Sequence, residues 1–247
     1  MHPLCIAHRG GPLVADTRLP ENSLAAIARA LSLGVEALEI DIWYLHNQLW
    51  VTHDHRLGRE IPGTQRLQDL SLETLENLRL ANGEPLPRLQ QVLALVGEQA
   101  LLNIEIKNSG CAAPLVETLL EHRQATGASL ESYVASSFNH QELFQLLQHL
   151  PQLRRGVLIA GLPLKYASDC QALAAYSLNT SLLNTPPELV ADAHRRGLVN
   201  WVYTANHADE WRDLIASGVD GIFTDRPEAL MAFRETVPSR SPSGRPE

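Results

Sequence analysis

Two acidic residues interrupt an apolar segment early in the chain. Residues 36–42, EALEIDI, alternate as a strand does, so Glu39 and Asp41 share one face while aliphatic side chains take the other. Two buried carboxylates side by side repel each other and lose their hydration, which neutralises one of them unless a cation is present. Because a divalent ion would keep both ionised, this segment predicts a metal site.

A second segment repeats the pattern. Residues 101–107, LLNIEIK, place Glu105 and Lys107 on one polar face. If the two polar faces meet, Glu39, Asp41 and Glu105 form a set of three oxygen ligands suited to Mg²⁺ or Ca²⁺, with Lys107 beside the ion. The alternative is a pair of edge strands with solvated polar faces, but their Leu/Ile/Val flanks favour the metal site. Ligand type alone does not separate Mg²⁺ from Ca²⁺.

The elements that must position these residues alternate along the chain. An apolar run at residues 4–7 leads through a glycine-containing loop into a helix whose predicted cap is Asn22 and whose end is marked by Gly34. With the strand of residues 36–42 this makes a βαβ unit, which implies parallel strands. The following residues, 49–54, predict a hairpin partner because the connection is too short for a parallel crossover.

The rest of the chain predicts a regular alternation of strands and helices. The predicted strands cover residues 101–107, 132–137, 154–160, 177–183, 198–204 and 220–224, and the predicted helices cover residues 113–126, 139–149, 165–175, 187–196, 207–217 and 226–234. Together with the early strands this pattern predicts an α/β fold, a (β/α)₈ TIM barrel with a small helical insertion over about residues 55–99. The alternative, an open doubly wound sheet, lacks the Gly-x-Gly-x-x-Gly turn expected after its first strand.

Composition narrows the classes of function. The 247 residues are 45% hydrophobic, which predicts one barrel domain over residues 1–237 and a Pro/Ser-rich disordered tail over residues 238–247. The formal net charge of -8 disfavours binding to nucleic acid or to an anionic membrane. Three widely spaced cysteines predict no disulfide framework, and without a signal peptide or a long apolar run the expected compartment is the cytoplasm. The oligomeric state is not predicted.

In a barrel of this kind the site lies at the carboxyl ends of the strands. That rule brings four pairs to one rim, namely His8 with Arg9, Glu39 with Asp41, His53 with Asp54, and Glu105 with Lys107. The set combines three metal carboxylates, two imidazoles and two cations.

These motifs, in this order, resemble those of the glycerophosphodiester phosphodiesterase family. The resemblance spans about residues 4–233 and is carried by His8-Arg9-Gly10, Pro20-Glu21-Asn22-Ser23, Glu39-x-Asp41, His53-Asp54, Glu105-x-Lys107 and Thr224-Asp225-Arg226-Pro227. It implies a barrel with a small insertion after the His-Asp motif. It also implies a divalent-metal phosphodiesterase that takes a small glycerophosphodiester and releases glycerol 3-phosphate and an alcohol.

The resemblance assigns roles to the ionisable residues. His8 and His53 match the two catalytic histidines, one taking a proton from the attacking hydroxyl and the other giving one to the leaving oxygen. The nucleophile is either the glycerol 2-hydroxyl, which would leave a cyclic phosphate, or water. Arg9 and Lys107 would bind the phosphate, since their charges bring three carboxylates, a divalent ion and a phosphodiester to zero.

Supporting residues follow from the same motifs. Glu21 is predicted to contribute to substrate binding by orienting Arg9 or the adjoining loop, and Asp54 is predicted to hold His53. Asp225 is predicted to serve the loop or a helix cap rather than catalysis.

Three aromatic residues are predicted to line the glycerol pocket. Tyr203 stands where the family commonly has Trp, and it keeps an aromatic wall while adding a hydroxyl. Trp201 lies on the same face two residues earlier, and Phe138 is the predicted opposite wall.

Three other functions compete with hydrolysis of glycerophosphodiesters. A phospholipase-type enzyme acting on intact lipid head groups should show an apolar or basic interfacial loop, and the sequence shows none. A non-catalytic phosphodiester-binding protein would not need both His8 and His53. A metal-dependent aldolase on the same barrel is the most distant alternative.

Overall fold

A closed barrel of parallel strands carries the candidate residues. The computed structural model describes residues 2–14 and 17–238. Its strands are β1 (Leu4–Ala7), β2 (Leu13–Val14), β3 (Thr17–Arg18), β4 (Ala37–Leu45), β5 (Gln48–Val51), β6 (Leu101–Ile106), β7 (Tyr133–Ser137), β8 (Arg154–Ile159), β9 (Ser177–Ser181), β10 (Val199–Tyr203) and β11 (Gly221–Thr224). The barrel consists of β1, β4 and β6 to β11, all parallel, and it closes where β1 pairs with both β11 and β4. The predicted TIM barrel is confirmed.

Helices surround the barrel in the order expected from the sequence. They are α1 (Leu24–Ser32), α2 (Leu72–Asn77), α3 (Leu89–Val96), α4 (Ala112–Thr126), α5 (His140–His149), α6 (Pro187–Arg195), α7 (Ala208–Ser217) and α8 (Pro227–Thr236). All except α2 follow a barrel strand and pack on the central hydrophobic core. Within the described part of the chain, no helix combines the length and the apolar character that a bilayer span requires.

Helix α1 begins at Leu24, but its N-cap differs from the predicted one. Ser23, not Asn22, is the N-cap, because the Ser23 hydroxyl accepts a hydrogen bond from the backbone N–H of Ala26 at 3.0 Å. Asn22 is committed elsewhere, since its side chain bonds to Asp41 on the neighbouring strand. The predicted cap was therefore wrong, and the reason is a tertiary contact.

The connection after β8 is not the α-helix predicted over residues 165–175. It contains a 3-10 helix at Ser168–Leu173, which Ala174 ends in a left-handed conformation with φ of 43°. Its two buried side chains, Cys170 and Leu173, are three residues apart, a spacing that stacks on one face of a 3-10 helix. The apolar spacing was present in the sequence, but its period was misassigned.

The insertion after β5 is smaller than the predicted range of 55–99. Helix α3 buries Leu89, Val92, Leu93 and Val96 in the main core and packs between α1 and α4, so it belongs to the ring of barrel helices. The remaining insertion has its own small core, made of Trp50, Ile61, Leu67, Leu70, Leu75, Leu80 and Leu86. The predicted tail also lies largely outside the described residues, which end at residue 238.

Aromatic rings fill the barrel below the site. Trp201 contacts Tyr176 and Phe223 edge to face, with ring centroids 5.9 and 6.0 Å apart. Glycines make room for these rings. A methyl group added at Gly221 would lie 2.5 Å from Cδ1 of Trp201 and 2.9 Å from Cδ1 of Ile6, both within the packed interior.

We expect Gly221→Ala to destabilise the barrel by about 1–3 kcal/mol, because the added methyl group overpacks a rigid interior. The measurement is the free energy of unfolding from urea denaturation. Gly161→Ala is the matched control, since a methyl group there meets nothing within 4 Å. An equal, small effect of both substitutions would contradict the tight packing around Trp201.

Candidate active site

Three carboxylates meet at the carboxyl ends of β4 and β6. Asp41 and Glu105 are partners in register on these neighbouring strands, and Glu39 precedes Asp41 by two residues on the same face. One oxygen of each carboxylate lies within 4.8 Å of one oxygen of the other two. Glu39 and Asp41 are only 2% and 1% exposed, so water does little to offset their charges. The structure thus brings the three predicted metal ligands together.

The donor atoms of this cluster fit a divalent cation. Among the described residues, Oε1 of Glu39 and Oδ1 of Asp41 are buried without a hydrogen-bond partner. Carboxylate oxygens are the ligands preferred by Mg²⁺ and Ca²⁺. Burial and the neighbouring charges of Asp41 and Glu105 raise the pKa of Glu39 well above its usual range, as expected for carboxylates crowded together without an ion.

Two cations flank the carboxylates. Lys107 Nζ donates to Oε1 of Glu105 at 2.6 Å and lies 3.3 Å from Oδ1 of Asp41. On the other side, Nε of Arg9 is 3.4 Å from Oδ2 of Asp41. Burial would raise the pKa of Asp41, but Lys107 and Arg9 outweigh it and lower that pKa. The central carboxylate therefore stays ionised between two cations.

The loop after β1 takes an unusual backbone conformation to reach this site. Arg9 and Asn22 have φ values of 53° and 59°, in the left-handed region that non-glycine residues rarely adopt. The backbone N–H of Arg9 donates to Oε2 of Glu39 at 2.9 Å. The Asn22 amide donates to Oδ2 of Asp41 at 2.9 Å, and its oxygen accepts from the Asp41 N–H at 3.2 Å. These contacts fix the orientation of both carboxylates.

His8 is held by the loop that follows β11. Its Nδ1 lies 2.7 Å from Oδ1 of Asp225, and the other Asp225 oxygen accepts from the Asn206 amide at 2.7 Å. This leaves Nε2 of His8 facing the cavity, 4.0 Å from Oε2 of Glu39. Asp225 lies in a loop, as predicted, but it orients His8 and does not cap a helix.

His53 is held in a parallel way from the other side of the cavity. Its Nδ1 lies 2.8 Å from Oδ1 of Asp54, the partner predicted from the sequence. Burial lowers the pKa of His53, and the positive charges of Lys107 and Arg9 lower it further, although Asp41 opposes them. At neutral pH this ring is therefore mostly uncharged, with Nε2 available as a proton acceptor.

Glu21 lies behind Arg9 rather than in the cavity. Its Oε1 accepts a hydrogen bond from Nη1 of Arg9 at 2.8 Å, which is the orienting contact predicted for it. Arg59, from the insertion, donates to both oxygens of the same carboxylate. Glu21 thus acts on the site through Arg9, and the prediction that it belongs among the substrate-binding residues holds only in this indirect sense.

A cavity of about 200 Å³ opens beside the carboxylates. Its lining consists of His8, Arg9, Glu39, His53, Asn103, Glu105, Lys107, Phe138, Leu158, Tyr203, Thr204 and Phe223. Phe138 and Tyr203 contact edge to face with centroids 5.9 Å apart, and the Tyr203 hydroxyl donates to the Ile159 carbonyl at 2.8 Å. They form an apolar wall opposite the charged residues.

Trp201 is a correction to the predicted pocket. It shares a strand face with Tyr203, but it lies one layer deeper, is 1% exposed and does not line the cavity. Two residues along a tilted barrel strand separate a core position from a site position. Trp201 supports the pocket floor and does not reach a bound molecule.

Two exposed leucines lie on loops that follow barrel strands at the same end of the barrel as the cavity. Leu164, after β8, and Leu183, after β9, are 97% and 91% exposed. Asn184 donates from Nδ2 to the Ala160 carbonyl at 2.8 Å and so ties these two loops together. Leu164 belongs to the segment of residues 161–166, GLPLKY, which the sequence analysis did not single out as an apolar loop.

Sequence reasoning missed three residues that organise the site. Asn206 and Arg59 were not singled out, and Asn22 was assigned to a cap. The signal for Asn206 was available, since Thr204-x-Asn206 follows a barrel strand at the rim. Arg59 carried no signal, because its link to Arg9 runs through Glu21, which lies 38 residues away in the chain.

Comparison with known proteins gives consistent results. The Glycerophosphoryl diester phosphodiesterase family profile matches residues 8–229. A glycerophosphodiester phosphodiesterase from Caldanaerobacter subterraneus subsp. tengcongensis is 32% identical over 240 residues, which cover 94% of this chain and 97% of that protein.

Solved structures share the fold at low identity. A glycerophosphodiester phosphodiesterase from Parabacteroides distasonis matches with a TM-score of 0.81 and 23% identity, covering 95% of this chain and 98% of that one. An Oleispira antarctica phosphodiesterase in complex with the product sn-glycerol-3-phosphate matches with a TM-score of 0.83 and 22% identity, covering 95% and 97%.

We expect Mg²⁺ or Ca²⁺ to stabilise the protein by about 2.7 kcal/mol when present at a hundred times its Kd, because it binds only the folded carboxylate cluster. Glu39→Gln should abolish this rise in Tm. Glu73→Gln, an exposed position on α2, is the control and should keep it. An unchanged metal response in Glu39→Gln would place the ion elsewhere.

The same binding should strengthen as pH rises. Since the pKa of Glu39 is raised in the metal-free site, cation binding must displace a proton from it. The measurement is Kd from calorimetric titration at several pH values, in buffers of different ionisation enthalpy. A Kd that is independent of pH, with no proton release, would show that the cluster is already ionised.

Proposed function

Because the chain belongs to the glycerophosphoryl diester phosphodiesterase family, we propose that it hydrolyses glycerophosphodiesters to glycerol 3-phosphate and an alcohol. The observation that carries the proposal is one cavity lined by a three-carboxylate cluster, two histidines and two cations. Binding alone would not require two separately oriented histidines.

The proposed metal ligands are Glu39, Asp41 and Glu105. When bound there, Mg²⁺ or Ca²⁺ supplies Lewis-acid polarisation of the phosphate and neutralises developing charge. The protein's part is to hold the three carboxylates together against their repulsion, through Asn22, the Arg9 backbone and Lys107.

Arg9 and Lys107 are the proposed phosphate-binding residues. Both line the cavity next to the carboxylates. Without their two positive charges, three carboxylates and one divalent cation would leave a net negative site for an anionic substrate. The guanidinium can fork onto two phosphate oxygens, whereas the ammonium acts as a point charge.

We assign the proton-transfer roles from the surroundings of each histidine. His53 has a lowered pKa and a carboxylate on Nδ1, so its Nε2 can accept the proton of the attacking hydroxyl, either the glycerol 2-hydroxyl or water. His8, fixed by Asp225, directs Nε2 into the cavity and can give a proton to the leaving oxygen. The roles exchange if a cyclic phosphate is opened in a second step. Phe138 and Tyr203 form the proposed wall for the glycerol carbons.

We expect His8→Ala and His53→Ala each to lower kcat by about 10²–10⁴-fold, the usual contribution of one acid or base. The measurement is release of glycerol 3-phosphate from glycerophosphocholine and glycerophosphoethanolamine by metal-loaded enzyme. His149→Ala, at an exposed position in the last turn of α5, is the control.

Three outcomes of this measurement are informative. Loss of activity in both site variants, with the control intact, supports the two-histidine scheme. Turnover by wild type that survives either substitution would remove that histidine from proton transfer, and no turnover of either substrate by the wild type would sink the proposed reaction.

The exposed rim favours a second candidate, hydrolysis of a phosphodiester whose glycerol part carries an apolar acyl chain, as in a lysophospholipid. Leu164 and Leu183 are the two most exposed large hydrophobic residues in the described part of the chain, and both lie on loops at the site end of the barrel. The wall of Phe138 and Tyr203 connects the cavity to these loops, since the Tyr203 hydroxyl bonds to the backbone just before Ala160.

We expect Leu164→Ser with Leu183→Ser to lower kcat/KM on lysophosphatidylcholine by about tenfold, because the variant loses part of the about 1.5–3 kcal/mol that burying each exposed leucine against the acyl chain would contribute. The kcat/KM on glycerophosphocholine should stay unchanged. Leu120→Ser, on the outer helix α4, is the control. Equal kcat/KM of the wild type and the double leucine variant on lysophosphatidylcholine would exclude the rim as a lipid contact.

A further inference from the structure

Arg59 lies outside the cavity, but it bonds to Asp54 and Glu21, the carboxylates that hold two cavity residues. We propose that Arg59 is a positioning residue through which the insertion holds both His53 and Arg9 in working geometry. The inference rests on the proposed function, because it concerns the same reaction, and it assigns the insertion a direct part in building the site.

The backbone places Arg59 at the tip of a closed loop. Residues 57–65 fold back on themselves, since the Leu57 N–H donates to the Gln65 carbonyl at 2.9 Å and the Gly58 N–H donates to the Ile61 carbonyl at 2.8 Å. Gly58 has a φ of 130°, a conformation that other residues rarely adopt. The loop therefore presents the Arg59 side chain from a defined position rather than from a free coil.

One guanidinium bonds to the two carboxylates that support cavity residues, and its Nη1 also donates to Oε1 of Glu60 at 3.1 Å. Nε of Arg59 donates to Oδ2 of Asp54 at 2.7 Å. Nη1 and Nη2 donate to the two oxygens of Glu21 at 2.6 and 2.5 Å, a forked contact. Only arginine offers donors in this planar arrangement, so both carboxylates are held by one rigid group.

Each carboxylate in turn holds a cavity residue. The other oxygen of Asp54 bonds Nδ1 of His53, and Oε1 of Glu21 also accepts from Nη1 of Arg9. Among the described residues, Arg59 is the only group that bonds to both Asp54 and Glu21. Arg18 also donates to Oε2 of Glu21, at 3.3 Å. Displacing Arg59 would therefore free Asp54 of its guanidinium partner and leave Glu21 with this longer contact, which loosens the supports of the proton acceptor and of the phosphate-binding cation together.

The charges make this arrangement strong. Glu21 is 6% exposed, so its ionised form depends on the neighbouring cations. Burial alone would raise the pKa of Glu21, but the hydrogen bonds of Arg59 and the charge of Arg9 lower it to about 2. Arg59 itself is 41% exposed, which leaves its outer face open to solvent.

The test compares Arg59→Ala, Arg59→Lys and the control Arg66→Ala. Arg66 belongs to the same insertion and pairs with Asp69 away from the cavity. With glycerophosphocholine and saturating metal, Arg59→Ala should lower kcat by about 10–100-fold and raise KM, the range seen when a group that orients a site residue is lost. Arg59→Lys should recover only part of this loss, since an ammonium cannot fork onto both carboxylates.

Two further readouts separate positioning from folding. Ethylguanidinium should restore kcat in Arg59→Ala but not in the double variant Arg59→Ala with Asp54→Asn, because the added cation must pair with the Asp54 carboxylate to orient His53. In the Asp54→Asn background, Arg59→Ala should lower kcat by a smaller factor than it does in the wild type, since the contact to His53 is already lost, whereas the rise in KM through Glu21 and Arg9 should remain.

The possible results are distinct. Activity of Arg59→Ala equal to that of Arg66→Ala overturns the inference, as do additive effects of Arg59→Ala and Asp54→Asn on kcat. If Arg59→Ala fails to fold, Arg59→Lys takes its place. A lowered kcat of Arg59→Lys that is not additive with Asp54→Asn supports the inference, and a kcat equal to that of the wild type overturns it. If the wild type shows no turnover, the proposed function is contradicted. If the wild type is active and Arg59→Ala is equally active, only the inference about Arg59 is contradicted.

Discussion

The structure depends on one electrostatic constraint, the burial of three carboxylates within 4.8 Å of one another. Such a cluster is unfavourable unless each oxygen is compensated. Lys107 and Arg9 supply charge, and Asn22 and a backbone N–H supply hydrogen bonds. Because these compensating groups still leave oxygens of Glu39 and Asp41 without hydrogen bonds among the described residues, the cluster fits a divalent cation.

This constraint explains the backbone around the site. Arg9 and Asn22 adopt left-handed conformations that cost about 1–3 kcal/mol each, and such strain persists only where surrounding contacts enforce it. Here the contacts are those to Glu39 and Asp41. The loop after β1 is therefore shaped by the carboxylates, and the same shape directs His8 towards Asp225 and Arg9 towards Glu21.

The barrel supplies the common frame. Parallel strands bring their carboxyl ends to one rim, so residues from opposite ends of the chain, such as His8 and Asp225, become hydrogen-bond partners. A rim built from loops can also vary in character around the cavity. One side is charged, and Phe138 and Tyr203 line the other, which gives the cavity two chemically different faces.

Strand periodicity and short motifs in the sequence were enough to predict the barrel fold. They also predicted that three carboxylates and two histidines belong to the site, and that Asp54 is the partner of His53. Only the tertiary structure decided which polar groups compensate which charges. Asn22 serves Asp41 instead of a helix, Asp225 serves His8, Trp201 stays below the pocket, and Arg59 joins two distant carboxylates. The physical reason is that hydrogen bonds between loops depend on where barrel closure places their ends, and spacing along the chain carries no record of that placement.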